Sequence, residues 1–364
     1  MCLAVSILLG HNFVIKILKI KSYYLLIFME VFFMKTEQKP IGSGFGAAST
    51  TNDVITGISL KGKTAIVTGG YSGLGKETVR TLRLAGAEVI VPTRDYERAE
   101  AALKDIDGVK IELMDLLDPS SIDAFADKFL ASDRPLHILV NCAAIMACPL
   151  YRDSRGYEFQ LATNHLGHFQ LTTRLLPALR KANGSRVVSV SSWGHHFSPF
   201  VFDDPNFENR NYTPWEGYGQ SKTANVLFTV ELDIRFKKDG IRAFSLHPGS
   251  IAGTGLGRYL PEEALLASGS YDEQGNPIID PSKNLKSIEQ GAATIVWCAV
   301  SPQLHNMGGV YCENCDIAYI DFNNYENWKI EDTTDFSGVM PFAIDNEAAE
   351  SLWNLSERLI GGKQ

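Results

Sequence analysis

The chain is poor in several features that would announce a specialised class. Only six of its 364 residues are cysteine, and Cys2, Cys142, Cys148, Cys298, Cys312 and Cys315 are too scattered to form a framework. A chain this long needs no disulfide staples, so the cysteines read as reduced thiols and the compartment as cytoplasmic. Cys312 and Cys315 make a lone C-x-x-C, whereas a structural zinc needs four ligands, so no metal site is expected. Basic residues are in deficit, with 34 Lys and Arg against 42 Asp and Glu and a net charge of −8. No basic stripe remains to neutralise phosphates, which excludes a nucleic-acid surface. The absence of internal repeats excludes solenoids and arrays.

A long uninterrupted apolar run is also missing. Residues 1–34 are rich in Leu, Ile, Val and Phe, but His11, Asn12, Lys16, Lys19 and Lys21 interrupt them, so no eighteen-residue span survives. A signal peptide would carry charges before its apolar stretch and small residues after it, and neither is visible. The reading favoured here is translation from Met34, in MKTEQKP, with the preceding extension absent from the native protein. An interfacial anchor is the alternative, and a native mass that includes residues 1–33 would rule out the late start. No membrane partner is otherwise expected. Residues 35–59 read as an N-terminal arm, small and polar over Ile41–Thr51, and residues 60–364 as the main domain.

What is present is ordinary for a soluble globular chain: 45% hydrophobic and 21% charged residues. From Leu60 onward, short apolar runs alternate with helical spacing. Strands are expected at Thr64–Thr68, Glu88–Val91, Lys110–Met114, Leu136–Asn141, Arg186–Ser191, Arg242–His247 and Gly309–Tyr311. Helices are expected at Lys76–Ala85, Glu97–Lys104, Ser120–Leu130, 158–181 and 219–237. This alternation implies an α/β fold, a single Rossmann-like doubly wound parallel sheet with helices on both faces. Between the first strand and first helix lies IVTGGYSGLGKE, with glycines at 69, 70, 73 and 75. Glycine is costly in either element, so the cluster suggests a turn where a pyrophosphate approaches the backbone and the helix N-terminus. Its spacing, T-G-x-x-x-G-x-G, differs from the G-x-G-x-x-G of ordinary dinucleotide folds.

TGGYSGLG at 68–75, NCAA at 141–144, the serines 191–192 and YGQSK at 218–222 occur in that order. Together they resemble the short-chain dehydrogenase/reductase family. NHLGHF at 164–169 and HPG at 247–249 extend the likeness to its retinol-dehydrogenase-like members. The resemblance covers about Leu60 to Ile320 and implies one Rossmann-like domain holding NAD or NADP, assembled as a homo-oligomer, dimer or tetramer. The helices at 158–181 and 219–237 resemble those through which family members dimerise.

Tyr218 and Lys222 lie four apart and share one helix face. A nearby ammonium should stabilise the phenolate and lower its pKa from about 10, making Tyr218 a proton donor or acceptor. Ser192 ends a strand, where ligands bind in open α/β sheets, and its hydroxyl suits the substrate oxygen. By resemblance, Ser192 rather than Ser191 takes that role, Asn164 holds a relay water near the lysine, and Lys222 also grips the nicotinamide ribose. His165 and His168 read as packing or surface residues. The resemblance further assigns cofactor contacts to Gly69, Tyr71, Ser72, Gly73, Leu74, Gly75, Asp115, Leu116, Asn141, Pro248, Ile251 and Thr254. Cys142, Ala143 and Ala144 depart from the family's usual Asn-Ala-Gly, and Cys142 reads as a small buried apolar residue.

Cofactor choice rests on the end of the second strand, VIVPTRD. An acidic residue there would bind a ribose 2′-hydroxyl, whereas Arg94 suits a 2′-phosphate, so NADP is expected and NAD is the alternative. Asp95 complicates this, since it could pair with Arg94 or reach the ribose. The aromatic-rich loop 193–217 and a mobile lid within 250–285 point to a small apolar carbonyl or alcohol substrate. Two other readings are a sugar-nucleotide epimerase or dehydratase reusing the Tyr/Lys pair, and a non-catalytic NADP-binding regulator. The first generally shows GxxGxxG, which is absent here. The second would be under no obligation to keep Asn164, Ser192, Tyr218 and Lys222 together.

Overall fold

The computed structural model describes residues 36–272, 274–323 and 337–361, so the expectations for residues 1–34 lie outside the described residues. One compact unit spans Glu37–Gln364. Its elements are α1 (Thr51–Ile55), β1 (Thr64–Val67), α2 (Gly73–Leu84), β2 (Glu88–Thr93), α3 (Tyr96–Leu103), β3 (Val109–Leu113), α4 (Pro119–Ala131) and β4 (Ile138–Asn141). A three-residue helix, Phe159–Leu161, then runs through a π-helical turn, Ala162–Leu166, into α5 (Gly167–Lys181). There follow β5 (Ser185–Val190), α6 (Pro214–Phe236), β6 (Ile241–His247), α7 (Glu262–Ala267), α8 (Ile288–Val300), β7 (Val310–Glu313), β8 (Asp316–Ile317) and α9 (Asn346–Leu359).

The strands form one sheet in the order β3-β2-β1-β4-β5-β6-β7-β8, parallel except for the β7–β8 pair. β1 pairs with β2 on one side (Ile66 opposite Ile90) and with β4 on the other (Val67 opposite Val140). The order in which strands are added therefore reverses between β1 and β4, and the crevice beyond their carboxyl ends is where such sheets bind ligands. Both faces are covered. Val67, Val89, Val140 and Phe244 point into one apolar layer with Trp297 of α8, while Ile66, Leu139 and Val187 point into another with Phe169 of α5.

α9 was not foreseen. Its Trp353 stacks on Phe228 of α6, with ring centroids 6.0 Å apart, and meets Phe169 of α5 edge-on at 4.9 Å. Every residue from Gly217 to Asp233 of α6 is buried within this one chain. The helices that the resemblance offers for dimerisation are thus packed in cis against α9. The arm docks at the sheet's far edge, where the backbone N–H groups of Ile41, Gly42 and Ser43 donate to the Asp316 carboxylate on β8. That cover protects an edge strand which would otherwise expose unpaired backbone groups. No helix among the described residues is long and apolar enough to cross a membrane.

Candidate active site

The glycine turn closes tightly for steric reasons that can be read position by position. Gly69 has φ +65°, and a Cβ there would lie 3.0 Å from the Ala143 Cα beyond β4. A Cβ on Gly75 would lie 2.3 Å from the Gly69 carbonyl oxygen, so the turn folds back on its own backbone. α2 begins at Gly73, earlier than its apolar spacing suggests, and Ser72 precedes it in an extended conformation with no side-chain capping bond. The first N–H groups of α2 therefore face the crevice as an anion-binding end. Thr254 lies across from Gly73, with its Cγ2 3.5 Å from where a Cβ would sit. Leu74 and Ile251 both pack against Gly291 of α8, walling one side. Pro248, three residues before Ile251, is buried.

Thr68 closes the floor. Its hydroxyl accepts from the backbone N–H groups of Cys142 (2.9 Å) and Ala143 (3.1 Å), fixing the NCAA turn. His168 Nδ1 donates to the Asn164 carbonyl at 3.0 Å, so its neutral ring accepts at Nε2 from the Thr68 hydroxyl at 2.9 Å. Burial holds the His168 pKa down to about 4, which preserves that arrangement at neutral pH. His168 is thus more than packing: it ties the first strand to the π turn that carries Asn164. Asn141 donates to Thr172 of α5 at 3.2 Å and to Ser189 of β5 at 3.4 Å, bracing helix against sheet. Leu116 has its carbonyl 2.3 Å from the Cβ position of Gly167, which accounts for the glycine in NHLGHF. Asp115 turns its own loop by accepting from Leu117 N at 3.0 Å.

α6 brings Tyr218 and Lys222 to the carboxyl end of β5, where Ser192 follows the strand. Thr213 caps α6 by accepting from Glu216 N, and Pro214 occupies its first turn, so the helix begins five residues before the expected 219. The pattern T-P-W-E carries that signal, a capping residue followed three positions later by glutamate. Tyr218 and Lys222 consequently lie within one continuous helix. The two serines face different partners. Ser191 Oγ donates to the Lys222 carbonyl at 2.8 Å, bracing α6, whereas the Ser192 hydroxyl lies close enough to the Tyr218 phenol to favour its ionised form. A Cβ on Gly194 would lie 2.9 Å from Tyr218 Cε1, so glycine there lets the phenol ring pack against the turn after Ser192. Asn164 Nδ2 donates to the Ser221 hydroxyl at 2.9 Å and to the Ile145 carbonyl at 3.0 Å. The π turn around Asn164 is the widened helical geometry often found at functional sites.

The electrostatics differ from the sequence-based expectation. Burial pushes the Tyr218 phenol up to about 12, and the Ser192 hydrogen bond only partly offsets it. Burial also takes the Lys222 ammonium down to about 8. The expected lowering of the phenol fails because Lys222 Nζ donates to the Val190 carbonyl at 3.0 Å and sits 5.5 Å from the Tyr218 ring centroid. Desolvation therefore outweighs the distant cation.

Arg94 is exposed at the close of β2. Asp95 accepts from Arg98 N at 3.0 Å and so serves as the cap of α3. The Arg98 guanidinium lies 5.8 Å from the Tyr71 ring centroid, bringing a second cation to the glycine turn. On the substrate side the aromatic loop divides. Trp193, His195 and His196 turn inward and are buried, whereas Trp215 meets Tyr218 edge-on at 6.1 Å. Pro214 and Trp215 join Pro149, Tyr259, Leu260 and Ala264 around an apolar cleft of about 290 Å³. The segment 250–285 is closed at its base, where Ser250 N donates to Asn284 O and Lys286 N to Ser250 O. The glycine turn, exposed helix end and strand-end crevice fit a dinucleotide, and no His, Cys, Asp or Glu cluster among the described residues could hold a metal.

Comparisons with known proteins agree with this geometry. A family model described as short chain dehydrogenase matches residues 63–264, more than half of the chain. The chain is 46% identical over 303 residues to a probable oxidoreductase of Streptomyces lividans, covering 81% of this chain and 97% of that protein. It is 36% identical over 312 residues to human retinol dehydrogenase 12, covering 84% of this chain and 89% of the relative. Among solved structures, an uncharacterized protein from Mycobacterium paratuberculosis matches with a TM-score of 0.63 and 31% identity, covering 86% of this chain and 97% of that one.

Proposed function

The chain belongs to the short-chain dehydrogenase family, an NAD(P)-dependent oxidoreductase acting on CH–OH and C=O groups, and on that premise we propose that it is an NADP(H)-dependent enzyme reducing an apolar ketone or aldehyde, or oxidising the matching secondary alcohol. The observation that supports this reading is Tyr218 and Lys222 on one helix face, with Ser192 at the end of β5, Asn164 bonded to Ser221 between them, and the Trp215 cleft adjoining.

A bound dinucleotide would supply or accept the hydride. Gly69, Gly73, Gly75 and the N-terminus of α2 would hold its pyrophosphate, with Tyr71, Ser72 and Leu74 lining the turn and Asp115 and Leu116 toward the adenine. Pro248, Ile251 and Thr254 would lie toward the nicotinamide, and Asn141 braces helix against sheet. Ser192 donates a hydrogen bond to the substrate oxygen and stabilises the charge that develops there. Tyr218, a protonated phenol at neutral pH, gives its proton to that oxygen. Lys222 would hold the nicotinamide ribose and, through a relay water beside Asn164, would return the proton that Tyr218 gives up.

Arg94 supports NADP over NAD, since Asp95 is occupied as a helix cap and Arg98 adds positive charge nearby. The lining of the Trp215 cleft supports an apolar substrate, because a charged one would lose its hydration there without gaining a partner. Free thiols at Cys142, Cys148, Cys298, Cys312 and Cys315 support a reducing, cytoplasmic setting. A homo-oligomer would need a face other than the one α9 covers, which sedimentation of the purified protein would reveal. The test of the reading is NADPH consumption with a panel of carbonyls. Apolar ketones and aldehydes should be reduced with higher kcat/KM than charged ones, and a panel turned over equally well with NADH would contradict the cofactor assignment.

A further inference from the structure

The backbone immediately after Ser192 is held by three histidines from two parts of the chain. Ser192 is extended, with φ −165° and ψ 156°, and leads into a 3₁₀ turn, Trp193–Phe197. Short 3₁₀ turns have weak internal hydrogen bonds, so their leading peptide groups gain from outside partners. Here the partners are imidazoles. His195 Nδ1 donates to the Ser192 carbonyl at 2.7 Å. His247 Nδ1, from the end of β6, accepts from the Trp193 N–H at 3.0 Å. His196 Nδ1 is 2.7 Å from the Trp193 carbonyl and donates to it. The Ser192–Trp193 peptide is therefore gripped at its oxygen and its nitrogen, and the next carbonyl is gripped as well.

We propose that His195, His196 and His247 form a cradle that positions the Ser192 hydroxyl for catalysis, acting through the backbone and not on the substrate. The inference rests on the assignment of Ser192 to the substrate oxygen. The local bonds show what the cradle orients. Ser192 Oγ accepts from Gly194 N at 2.9 Å, which sets its direction and leaves its proton to be aimed across the site. The cradle is itself anchored: His195 Nε2 accepts from Met340 N at 3.1 Å, and His196 Nε2 lies 3.3 Å from the Asp321 carboxylate. Those bonds fix His195 as its Nδ1–H form, and the Trp193 bond fixes His247 as its Nε2–H form. Burial keeps the His247 pKa at about 3 and that of His195 well below the ordinary value, so both rings stay neutral. Both ring nitrogens of His195 are engaged by backbone groups, which leaves neither for a substrate.

Two measurements test the cradle, and one does not need turnover. Long-range ¹H–¹⁵N spectra of the full chain should show His195 as the Nδ1–H and His247 as the Nε2–H tautomer, unchanged between about pH 5 and 8. Opposite tautomers, or rings that titrate in that range, overturn the proposal even if the protein reduces no carbonyl tried. The second compares variants by reach. Asparagine places its amide near the Nδ1 position and glutamine near Nε2, so His247→Asn and His195→Asn should keep most of kcat. His247→Gln and His195→Gln should lose about ten- to a hundredfold in kcat, with NADPH affinity and KM little changed. Equal kcat for Asn and Gln variants contradicts the cradle. Loss of NADPH binding in step with kcat does too, since that marks general unfolding. A wild type that turns over while Ser192→Ala remains as active would fail the functional reading instead.

Discussion

At the residue scale, the site depends on which of two neighbours faces which way. Ser191 and Ser192 are adjacent, yet one braces Lys222 and the other meets Tyr218, because successive side chains at a strand end point to opposite sides. The same scale decides cofactor choice. Arg94 and Asp95 carry opposite charges at the close of β2, but the carboxylate is taken by the N-terminus of α3 and the guanidinium is left exposed. Charge-assisted hydrogen bonds contribute about 1.5–3 kcal/mol, so Arg94→Ala should cut kcat/KM for NADPH by about ten- to a hundredfold. kcat/KM for NADH should stay within about twofold. Steady-state kinetics with both cofactors check this, and an equal loss with both would show that Arg94 does not read the 2′-phosphate.

At the element scale, the glycine turn is the most demanding piece of backbone. Gly75→Ala would set a methyl 2.3 Å from the Gly69 carbonyl oxygen, and a backbone oxygen cannot swing aside as a flexible side chain can. Fluorescence titration should show NADPH binding weakened at least about tenfold while far-UV circular dichroism is retained. Unchanged affinity would mean the pyrophosphate is held elsewhere. This turn and the alternating strands were legible in the sequence because both depend on local chemistry: glycine where φ is positive, apolar runs where strands are covered on both faces. The strand β3, expected at Lys110–Met114, lies at Val109–Leu113, a one-residue shift of the kind that element ends allow. What the sequence concealed was long-range. α9 is amphipathic like any surface helix, and nothing local shows that Trp353 will reach Phe169 and Phe228. His168 reads as a packing or surface residue, and His195, His196 and His247 carry no assigned role in the sequence, because each has a partner distant in the chain: the Thr68 hydroxyl, Met340 N, the Asp321 carboxylate and Trp193 N. The lowered phenol pKa expected for Tyr218 failed for a related reason, as spacing places a lysine on the same face but does not say how deeply both are buried.

At the scale of the whole molecule, buried neutral histidines set the response to acid. Burial lowers His165 to about 3, His168 to about 4, His247 to about 3, and His195 well below 6.5. Below about pH 6.5 the unfolded chain binds protons that the native rings refuse, so stability is full above that pH and falls as pH drops toward the folded values. Each histidine contributes about 1.4 kcal/mol per pH unit, about 5 kcal/mol per unit for the four together. Urea midpoints at pH 7.5, 6.5 and 5.5 should fall steeply over the last step, and a flat profile would show these rings are not neutral in the fold. The same interior holds Tyr218 as a protonated phenol beside Ser192, on which the catalytic account depends. Its most direct test is Tyr218→Phe, measured for NADPH affinity and for turnover of the best apolar carbonyl. The account predicts affinity within about twofold of wild type and turnover reduced by about a hundredfold to ten-thousandfold. A variant that binds NADPH and reduces the carbonyl at the wild-type rate would contradict it.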